Sequence, residues 1–260
     1  MNASATRPPT PLVLVTGGSR GIGAATARLA ARRGWDVAVN YTHDRAAAEA
    51  VAFDVRAAGR RALVVQADVG DDAQVVALFQ QVDRELAAGA GVLRGLVNNA
   101  GVVDVASRVD AMTPARLQRM FAINVFGSFA CAREAVRRMS SLHGGAGGSI
   151  VNLSSAAARI GASGQYVDYA AAKGAIDVFT LGLAREVATE GVRVNAVRPR
   201  IIETDIHARG GQPGRAAQMA PLVPMRRSGT AEEVAEAIVW LLSDASSYTT
   251  GSVVDVTGGR

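Results

Sequence analysis

The sequence predicts an α/β protein built on a doubly wound parallel sheet of seven strands with helices on both faces. Short apolar runs of β type alternate with longer helical patterns along the chain, which is typical of a parallel sheet covered by helices. With 260 residues, 49% of them apolar, the chain can bury a large core. Because no linker between the elements is long enough to separate domains, residues 12–260 are predicted to form a single domain.

The strands are predicted from runs of apolar and β-branched residues, and the helices from apolar positions that recur with helical spacing. In chain order the predicted strands are residues 12–16, 36–41, 62–67, 95–98, 149–154, 193–197 and 252–256. The predicted helices between them are residues 22–33, 45–58, 71–88, 114–140, 169–189 and 231–243.

Three segments lie outside this alternation. Residues 1–11, MNASATRPPTP, contain three prolines and are predicted to be a disordered lead-in. Residues 198–230, with four prolines and several glycines, form the longest irregular stretch and are predicted to be a substrate lid. The glycine-rich residues 143–148, HGGAGG, enter a strand instead of opening a helix, so they are interpreted as a turn.

The composition argues against several classes of function. The net charge is +5, but the arginines are scattered among acids, which indicates a solvated surface and not a nucleic-acid interface. No apolar run reaches the ~18 residues of a membrane span, and the N-terminus lacks the apolar core of a signal peptide. The single cysteine, Cys131, excludes an internal disulfide and fits a reducing, cytoplasmic compartment. The three histidines are far apart, so no metal site is expected.

A glycine-rich loop, LVLVTGGSRGIG, leads from the first predicted strand directly into the first helix. Glycines here allow a sharp turn and close approach to a pyrophosphate, whose charge is favoured by the exposed N–H groups of the helix start. This position predicts a Rossmann-type dinucleotide site. The predicted cofactor contacts in the loop are Gly17, Ser19, Arg20, Gly21, Ile22 and Gly23.

The same loop also matches the nucleophile elbow of serine hydrolases, G-x-S-x-G, around Ser19. Residues 143–145 would then resemble the oxyanion loop, but that loop should precede the nucleophile in the chain. The required late histidine would have to be His207, which lies in the irregular stretch. A hydrolase is therefore disfavoured.

Five motifs occur in a fixed order along the chain: TGGSRGIG at 16–23, NNAG at 98–101, Asn124, the serines of VNLSS at 151–155, and Tyr169 followed by Lys173. In this order they resemble the short-chain dehydrogenase/reductase family, over residues 12–259. The runs YVDYAAAKGAID and GSVVDVTGGR are similar to bacterial 3-oxoacyl-carrier-protein reductases and glucose 1-dehydrogenases. The resemblance implies a nicotinamide-dependent oxidoreductase of carbonyl or alcohol substrates that assembles as a homotetramer. The alternative is a regulator that binds the cofactor without turnover.

The end of the second strand bears on the choice of cofactor. An NAD-specific fold places an acid there to bind the ribose hydroxyls, whereas this chain has Asn40, Tyr41 and Thr42. Asp36 lies at the opposite end of the strand and Asp44 beyond it. Arg20, with Arg45 nearby, suits a 2′-phosphate, so NADP(H) is favoured over NAD(H). The alternative is that both arginines are solvated surface charges.

The family resemblance implies further cofactor contacts. Asp68 and Val69 match the pair that flanks adenine, and NNAG matches the stretch along the adenine-side ribose, although it could also be only a turn. Residues after the sixth strand match those near the carboxamide. The positions concerned are Asp68, Val69, Asn98, Ala100, Gly101, Pro199, Ile202 and Thr204.

The stretch GQYVDYAAAKGA contains two candidate catalytic tyrosines. Hydride transfer at a carbonyl carbon requires an acid or base at the oxygen, and a nearby ammonium lowers the pKa of tyrosine from its reference value of about 10. Tyr169 and Lys173, four residues apart on a helix, share a face about 6 Å apart along the axis. Tyr166 lacks such a partner. Tyr169 is therefore predicted to be the acid/base, while Tyr166 and Asp168 are assigned to substrate choice.

The remaining catalytic residues follow from the resemblance. Ser155 matches the serine that holds the substrate oxygen, although an extra residue before Tyr169 leaves Ser154 as an alternative. Asn124 resembles the asparagine that positions a water linking Lys173 to solvent, and a residue that bonds backbone at a helix bend is the alternative.

The substrate side departs from the family pattern, in which Pro-Gly follows the sixth strand. Here the pair is Pro199-Arg200. If that glycine uses a positive φ, arginine costs about 1 kcal/mol. Arg200 either turns outward or helps to select an anionic substrate. Ile206 and His207 in the lid are predicted substrate contacts, in a setting compatible with sugars, small ketones or acyl thioesters.

Overall fold

The computed structural model describes residues 10–89, 91–204 and 210–260, and within them seven parallel strands form one sheet. The sheet order is β3-β2-β1-β4-β5-β6-β7, so the chain winds outward from β1 and then returns to its other side at β4. This confirms the predicted doubly wound fold. The strands are β1 Thr10–Val15, β2 Asp36–Tyr41, β3 Ala62–Gln66, β4 Gly91–Asn98, β5 Gly148–Leu153, β6 Val192–Pro199 and β7 Val253–Val256.

Helices cover both faces of the sheet. They are α1 Gly21–Arg32, α2 Arg45–Ala57, α3 Asp72–Gly89, α4 Pro114–Phe121, α5 Gly127–Met139, α6 Ala157–Ile160, α7 Val167–Glu186, α8 Arg215–Met219 and α9 Ala231–Leu242. Side chains of β1 alternate between two cores, because successive residues of a strand point to opposite faces. Val13 and Val15 pack with α1, α2 and α9, whereas Leu12 and Leu14 pack with α3, α5 and α7.

The first strand begins earlier than predicted. Thr10 and Pro11, placed in the disordered lead-in by the sequence, pair with Gly91 and Val92 of β4. Proline is tolerated at the start of a strand, where its missing N–H interrupts little of the ladder. The prediction for residues 10 and 11 is therefore wrong, and residues 1–9 lie outside the described part of the chain.

The predicted helix over residues 114–140 is interrupted by a π-helical segment, Ala122–Phe126, between α4 and α5. The Asn124 side chain donates a hydrogen bond to the Met120 carbonyl at 3.0 Å. That carbonyl lies four residues earlier, where an α-helix would place the backbone N–H of Asn124, so the side chain competes with the regular ladder. Single π turns of this kind are frequent at functional sites.

Candidate active site

The glycine loop between β1 and α1 takes a shape that larger residues would not fit. Gly17 and Gly21 have φ values of 59° and 52°. A Cβ added at Gly23 would lie 2.5 Å from the Gly17 carbonyl oxygen and 2.5 Å from the Asn99 amide nitrogen. The loop therefore packs backbone against backbone at the carboxyl edge of the sheet, as a pyrophosphate cradle requires.

The start of α1 faces the same edge. Gly21 is its first residue and Arg20 its N-cap, and in the described residues no side chain caps this end. Its first N–H groups are left available, and the helix dipole adds positive potential there. Ile22 lines the adjoining cavity, and Ser19, three residues earlier, is half-buried. The residues present fit the pyrophosphate of a dinucleotide.

The side chains at the end of β2 hold the glycine loop in place. The buried Asn40 amide accepts a hydrogen bond from the Gly17 N–H at 3.2 Å and donates to the Val65 and Ala67 carbonyls at 3.3 and 3.0 Å. Tyr41 is buried in the core and Thr42 is half-buried. The structure thus gives Asn40 backbone partners and makes it a support of the loop.

Both acids near β2 are engaged elsewhere. Asp44 caps α2 by accepting a hydrogen bond from the Ala47 N–H at 2.9 Å. Asp36, at the opposite end of the strand, accepts bonds from the backbone and guanidinium of Arg61. Neither Asp36 nor Asp44 is therefore free to bind a ribose at the carboxyl end of β2.

The NNAG segment divides between the interior and the cavity. The buried Asn98 amide donates to the Ser128 carbonyl at 3.1 Å and to Asn152 at 2.9 Å. Asn99, which the sequence reasoning missed, lines the cavity and donates to the Thr16 and Gly17 carbonyls at 2.8 and 3.0 Å. The sequence signal for Asn99 was its position in the NNAG motif, which follows β4, the strand beside β1 and its glycine loop.

Two other predicted contacts lie on backbone turns. The Asp68 carboxylate accepts a hydrogen bond from the Gly70 N–H at 2.9 Å, and Val69 is buried. The Ala100 N–H donates to the Thr16 hydroxyl at 3.0 Å. These bonds fix the loops after β3 and β4 at the same edge of the sheet.

A cavity that is partly open to solvent lies at the carboxyl ends of β4, β5 and β6, beside the start of α1. It brings the end of the glycine loop together with three of the four predicted catalytic residues, while the buried Asn124 is not part of its lining. Its lining includes Ile22, Gly101, Ser155, Tyr166, Tyr169 and Lys173. Ligands bind at this edge of open α/β sheets, beside the point where the strand order reverses.

Tyr169 and Lys173 lie on one face of α7, with the lysine Nζ 5.7 Å from the centre of the tyrosine ring. Lys173 is buried, and its ammonium donates to the Leu153 carbonyl at 2.6 Å. Burial lowers the pKa of Lys173 to about 8, opposed by the charge of Asp177. Burial raises the pKa of Tyr169, and the Ser155 hydroxyl lowers it.

The two serines after β5 have different partners. The buried Ser154 hydroxyl donates to the Lys173 carbonyl at 3.3 Å, which ties β5 to α7. The Ser155 hydroxyl accepts from the Ala157 N–H at 3.2 Å and remains able to donate to a ligand. Of the two hydroxyls, that of Ser155 is better placed to act on a group at Tyr169.

Asn124 is held by backbone groups. Its amide donates to the Val102 carbonyl at 3.0 Å and accepts from the Val102 N–H at 3.3 Å. A Cβ added at Gly101 would lie 2.8 Å from the Asn124 side-chain oxygen and 3.6 Å from the Lys173 nitrogen. Both polar groups therefore face the narrow space beside Gly101.

Tyr166 lines the substrate side of the cavity. Its ring is buried, and its hydroxyl donates to the Gly210 carbonyl in the predicted lid at 3.4 Å. The Arg215 guanidinium lies 5.5 Å from the centre of this ring. Ile206 and His207, the other predicted substrate contacts, lie outside the described residues.

The structure corrects the assignment of Asp168 to substrate choice. Its carboxylate is fully buried and accepts two hydrogen bonds from the Arg116 guanidinium, at 2.8 and 3.3 Å. Arg116 also donates to the Val105 carbonyl at 2.7 Å. Asp168 therefore joins the start of α7 to α4 instead of facing the cavity.

The family pattern suggested a positive φ at residue 200, directly after Pro199, but the structure has it at residue 201. Ile201, and not Arg200, has a positive φ, 51°, which is unusual for a β-branched residue. The Arg200 N–H donates to the Val256 carbonyl at 3.1 Å. Pro199, Ile202 and Thr204 line the cavity, and a Cβ at Gly21 would contact the Thr204 methyl at 3.4 Å.

The described residues offer neither a metal site nor a membrane-spanning helix. Within the described ranges, no three His, Cys, Asp or Glu side chains come together to hold a metal ion. None of the helices in these ranges combines the length and the apolar character needed to cross a membrane. Cys131 is fully buried, and burial raises the pKa of its thiol to about 12.

A dinucleotide-type loop that shares a cavity with a tyrosine–lysine pair is typical of nicotinamide-dependent oxidoreductases, and comparison with known proteins specifies the family. Residues 17–260 match a family model described as Enoyl-(Acyl carrier protein) reductase. The uncharacterized oxidoreductase YgfF of Escherichia coli K12 is 53% identical over 249 residues, covering 96% of this chain and 99% of that protein. The 3-oxoacyl-[acyl-carrier-protein] reductase FabG of Staphylococcus aureus is 35% identical over 246 residues, covering 95% and 96%.

Solved structures agree. A short-chain type dehydrogenase/reductase from Mycobacterium marinum superposes with a TM-score of 0.88 at 32% identity, covering 97% of this chain and 96% of that one. The chain belongs to the short-chain dehydrogenase/reductase family, which confirms the resemblance seen in the five motifs. It is an oxidoreductase that acts on alcohol or carbonyl groups with a nicotinamide cofactor.

Proposed function

We propose that the protein is an NADP(H)-dependent oxidoreductase that interconverts a carbonyl and an alcohol. Tyr169 acts as the acid/base, Ser155 orients the reacting oxygen, and Lys173 and Asn124 support the proton transfer. The observation that carries the proposal is the convergence of Tyr169, Ser155 and Lys173 in the cavity beside the glycine loop. In this proposal residues 12–260 form a single catalytic domain.

When bound, the nicotinamide supplies or accepts the hydride. In reduction, the Tyr169 hydroxyl gives its proton to the oxygen that becomes the alcohol, and the Ser155 hydroxyl donates a hydrogen bond to the same oxygen. The ammonium of Lys173 stabilises the phenolate that remains, which offsets the increase in the Tyr169 pKa that burial causes. The Asn124 side-chain oxygen, which faces the space beside Gly101 and Lys173, supports a water that returns the proton.

The remaining predicted residues would hold the cofactor. The N–H groups of residues 19–23 would bind the pyrophosphate. Thr42, Asp68 and Val69 would hold the adenosine and residues 98–101 its ribose, while Asn40 holds the glycine loop through Gly17 and Tyr41 is buried in the core. Pro199, Ile202 and Thr204 would hold the nicotinamide.

A change at Tyr169 tests the reaction. Tyr169→Phe is expected to lower kcat by roughly 10²–10⁴ across a carbonyl panel, because it removes the acid while leaving the ring in place. NADPH binding, measured by cofactor fluorescence, should persist. Tyr248→Phe is the matched control, since Tyr248 is fully exposed. Full turnover in Tyr169→Phe, with the cofactor bound, would overturn the assignment.

A change at Arg20 tests the cofactor preference. Arg20→Ala is expected to lower kcat/KM for NADPH by about 10- to 100-fold, because a charge-assisted hydrogen bond to the 2′-phosphate is lost. The value of kcat/KM for NADH should change much less, since NADH lacks this phosphate. Arg84→Ala, on the exposed surface of α3, removes an equal charge away from the cavity. If wild-type protein uses NADH and NADPH equally, the NADP(H) preference is refuted.

The proposed assembly is a homotetramer in the cytoplasm. Exposed apolar side chains on opposite sides of the sheet support it: Phe126 and Val178 near α5 and α7 are 63% and 73% exposed, and Trp240 on α9 is 42% exposed. Two separate apolar surfaces fit the two interfaces of a symmetric tetramer. Light scattering of the purified protein at micromolar concentration measures the mass directly.

A further inference from the structure

Two arginines line the substrate side of the cavity without acidic partners among the described residues. The Arg200 guanidinium makes no hydrogen bond or ion pair in that part of the chain. Arg215 is held by neutral groups: it donates to the Gln165 amide oxygen at 3.0 Å and to the Gln212 amide oxygen. Amide oxygens fix the direction of a guanidinium but leave its charge uncompensated.

Within the described residues, three acids in this region are paired with other arginines. Arg198, two residues before Arg200 on the same strand, pairs with Asp177 at 2.8 Å and with Asp255 at 2.9 Å. On the other side of the cavity, Asp168 is buried against Arg116. These ion pairs involve Arg198 and Arg116, so no acid of the described residues is paired with Arg200.

The positive groups also affect each other. Burial lowers the pKa of Arg200, and the charges of Arg260 and Arg215 act in the same direction. Like charges in a partly buried cavity repel, and an anion placed between them would relieve that repulsion. Guanidinium groups bind carboxylates through two parallel hydrogen bonds, which gives orientation as well as attraction.

The surrounding wall indicates the rest of the substrate. Ile160, Ile201 and Met219 supply an apolar lining in the same cavity. The Tyr166 ring lies below Arg215, and its hydroxyl joins the lid through Gly210. A compound with an apolar body and an acidic end would match both the wall and the two arginines.

We propose that the substrate is an oxo acid or hydroxy acid whose carboxylate is bound by Arg200 and Arg215 while its reacting carbon faces Tyr169. This inference rests on the proposed function, because it takes Tyr169 as the place of reaction. It assigns to both arginines a role in substrate binding.

The first test compares acids with neutral analogues. Purified full-length protein with NADPH is assayed on 4-oxopentanoate and homologues lengthened by one to three methylene groups, each beside its methyl ester and primary amide. For at least one chain length, kcat/KM for the acid is expected to exceed that for the amide by about tenfold or more. Equal or lower values for the acids at every length would overturn the proposal.

The second test changes the arginines. Arg200→Gln and Arg215→Gln are each expected to lower the acid-to-amide ratio by about tenfold, whereas Arg200→Lys keeps part of it. Arg84→Gln should leave the ratio unchanged, because Arg84 lies on the exposed surface of α3. Thermal melting and NADPH binding show that each variant is folded. A ratio that survives both glutamine variants would refute the role of the arginines.

A third measurement separates this proposal from the proposed function. If no ketone is reduced, the binding of pentanoate and pentanamide to the protein–NADPH complex is compared by cofactor fluorescence. Tighter binding of pentanoate by about tenfold, lost in Arg200→Gln, would support the anion site although the proposed reaction had failed. Equal binding of the two compounds would overturn the anion site itself.

Discussion

Replacing Asp168 by Asn tests whether this acid supports α7 or selects the substrate. Asp168 lies one residue before Tyr169, and its carboxylate is paired with Arg116, whose side chain is only 11% exposed. The pair joins α7 to α4, and Arg116 also holds the Val105 carbonyl at 2.7 Å. The hydrogen bond to Asp168 raises the pKa of Arg116, as expected when the ionised pair is favoured.

The expected loss of stability follows from this geometry. Breaking a buried ion pair by neutralising one partner costs about 3–5 kcal/mol, because the other charge stays buried without compensation. Arg116 keeps its bond to Val105 and some exposure, so we expect a value near the lower end, about 3 kcal/mol. In a chain of this size a loss of about 1 kcal/mol lowers the melting temperature by about 2–4 °C. A loss of about 3 kcal/mol therefore lowers the melting temperature by about 6–12 °C.

The assay is thermal unfolding of wild-type protein and Asp168→Asn, combined with KM and kcat on the same carbonyl panel. Asp110→Asn is the matched control, because the pair of Asp110 with Arg108 at 3.3 Å is exposed on both sides, and we expect a change within about 0.5 kcal/mol. A melting shift below 2 °C in Asp168→Asn, together with an altered order of substrates, would refute the structural role and restore the role in substrate choice.

Two further predictions concern Gly101 and Lys173, which lie on the proposed proton path. Gly101→Ala would place a Cβ 2.8 Å from the Asn124 oxygen. We therefore expect the free energy of unfolding to fall by about 1–3 kcal/mol and kcat to decrease, as measured by thermal unfolding and steady-state kinetics. Unchanged stability and kcat would contradict this prediction. The pKa of Lys173 is lowered to about 8 by burial. The unfolded chain therefore binds more protons between pH 8 and its ordinary pKa of about 10.4, and stability gains up to about 3 kcal/mol as pH rises through that window. The difference in unfolding free energy between wild type and Lys173→Met should grow in favour of wild type from pH 8 to 10. A difference that does not change with pH would show that folding leaves the pKa of Lys173 unchanged.

The sequence predicts best what depends on local spacing. The alternation of strands and helices, the turn at Gly17, and the common face of Tyr169 and Lys173 all follow from short-range periodicity. Each was readable because the residues concerned are adjacent in the chain or four positions apart on one helix. The structure places all of these features at one edge of one sheet.

The sequence predicts poorly where a side chain finds a distant partner. Asp168 meets Arg116, 52 residues away, and Asn98 meets Asn152, 54 residues away. Neither pairing leaves a periodic signal, because it depends on how helices and strands pack in three dimensions. The same limit explains why Arg215 was missed, since only the fold brings it over the Tyr166 ring.

Three asparagines around the predicted cofactor site have the same structural role, which is to hold the backbone of a loop. Asn40 and Asn99 direct their amides at the backbone of the glycine loop, and Asn124 does the same at Val102. An amide can donate and accept at once, so it satisfies the backbone N–H and C=O groups that a sharp loop leaves outside the sheet ladder. An apolar residue of similar size would leave those groups unpaired, at about 1–3 kcal/mol for each. These asparagines therefore shape the cofactor edge by holding its loops, whether or not they touch the cofactor, and substitutions there should affect stability and cofactor binding together.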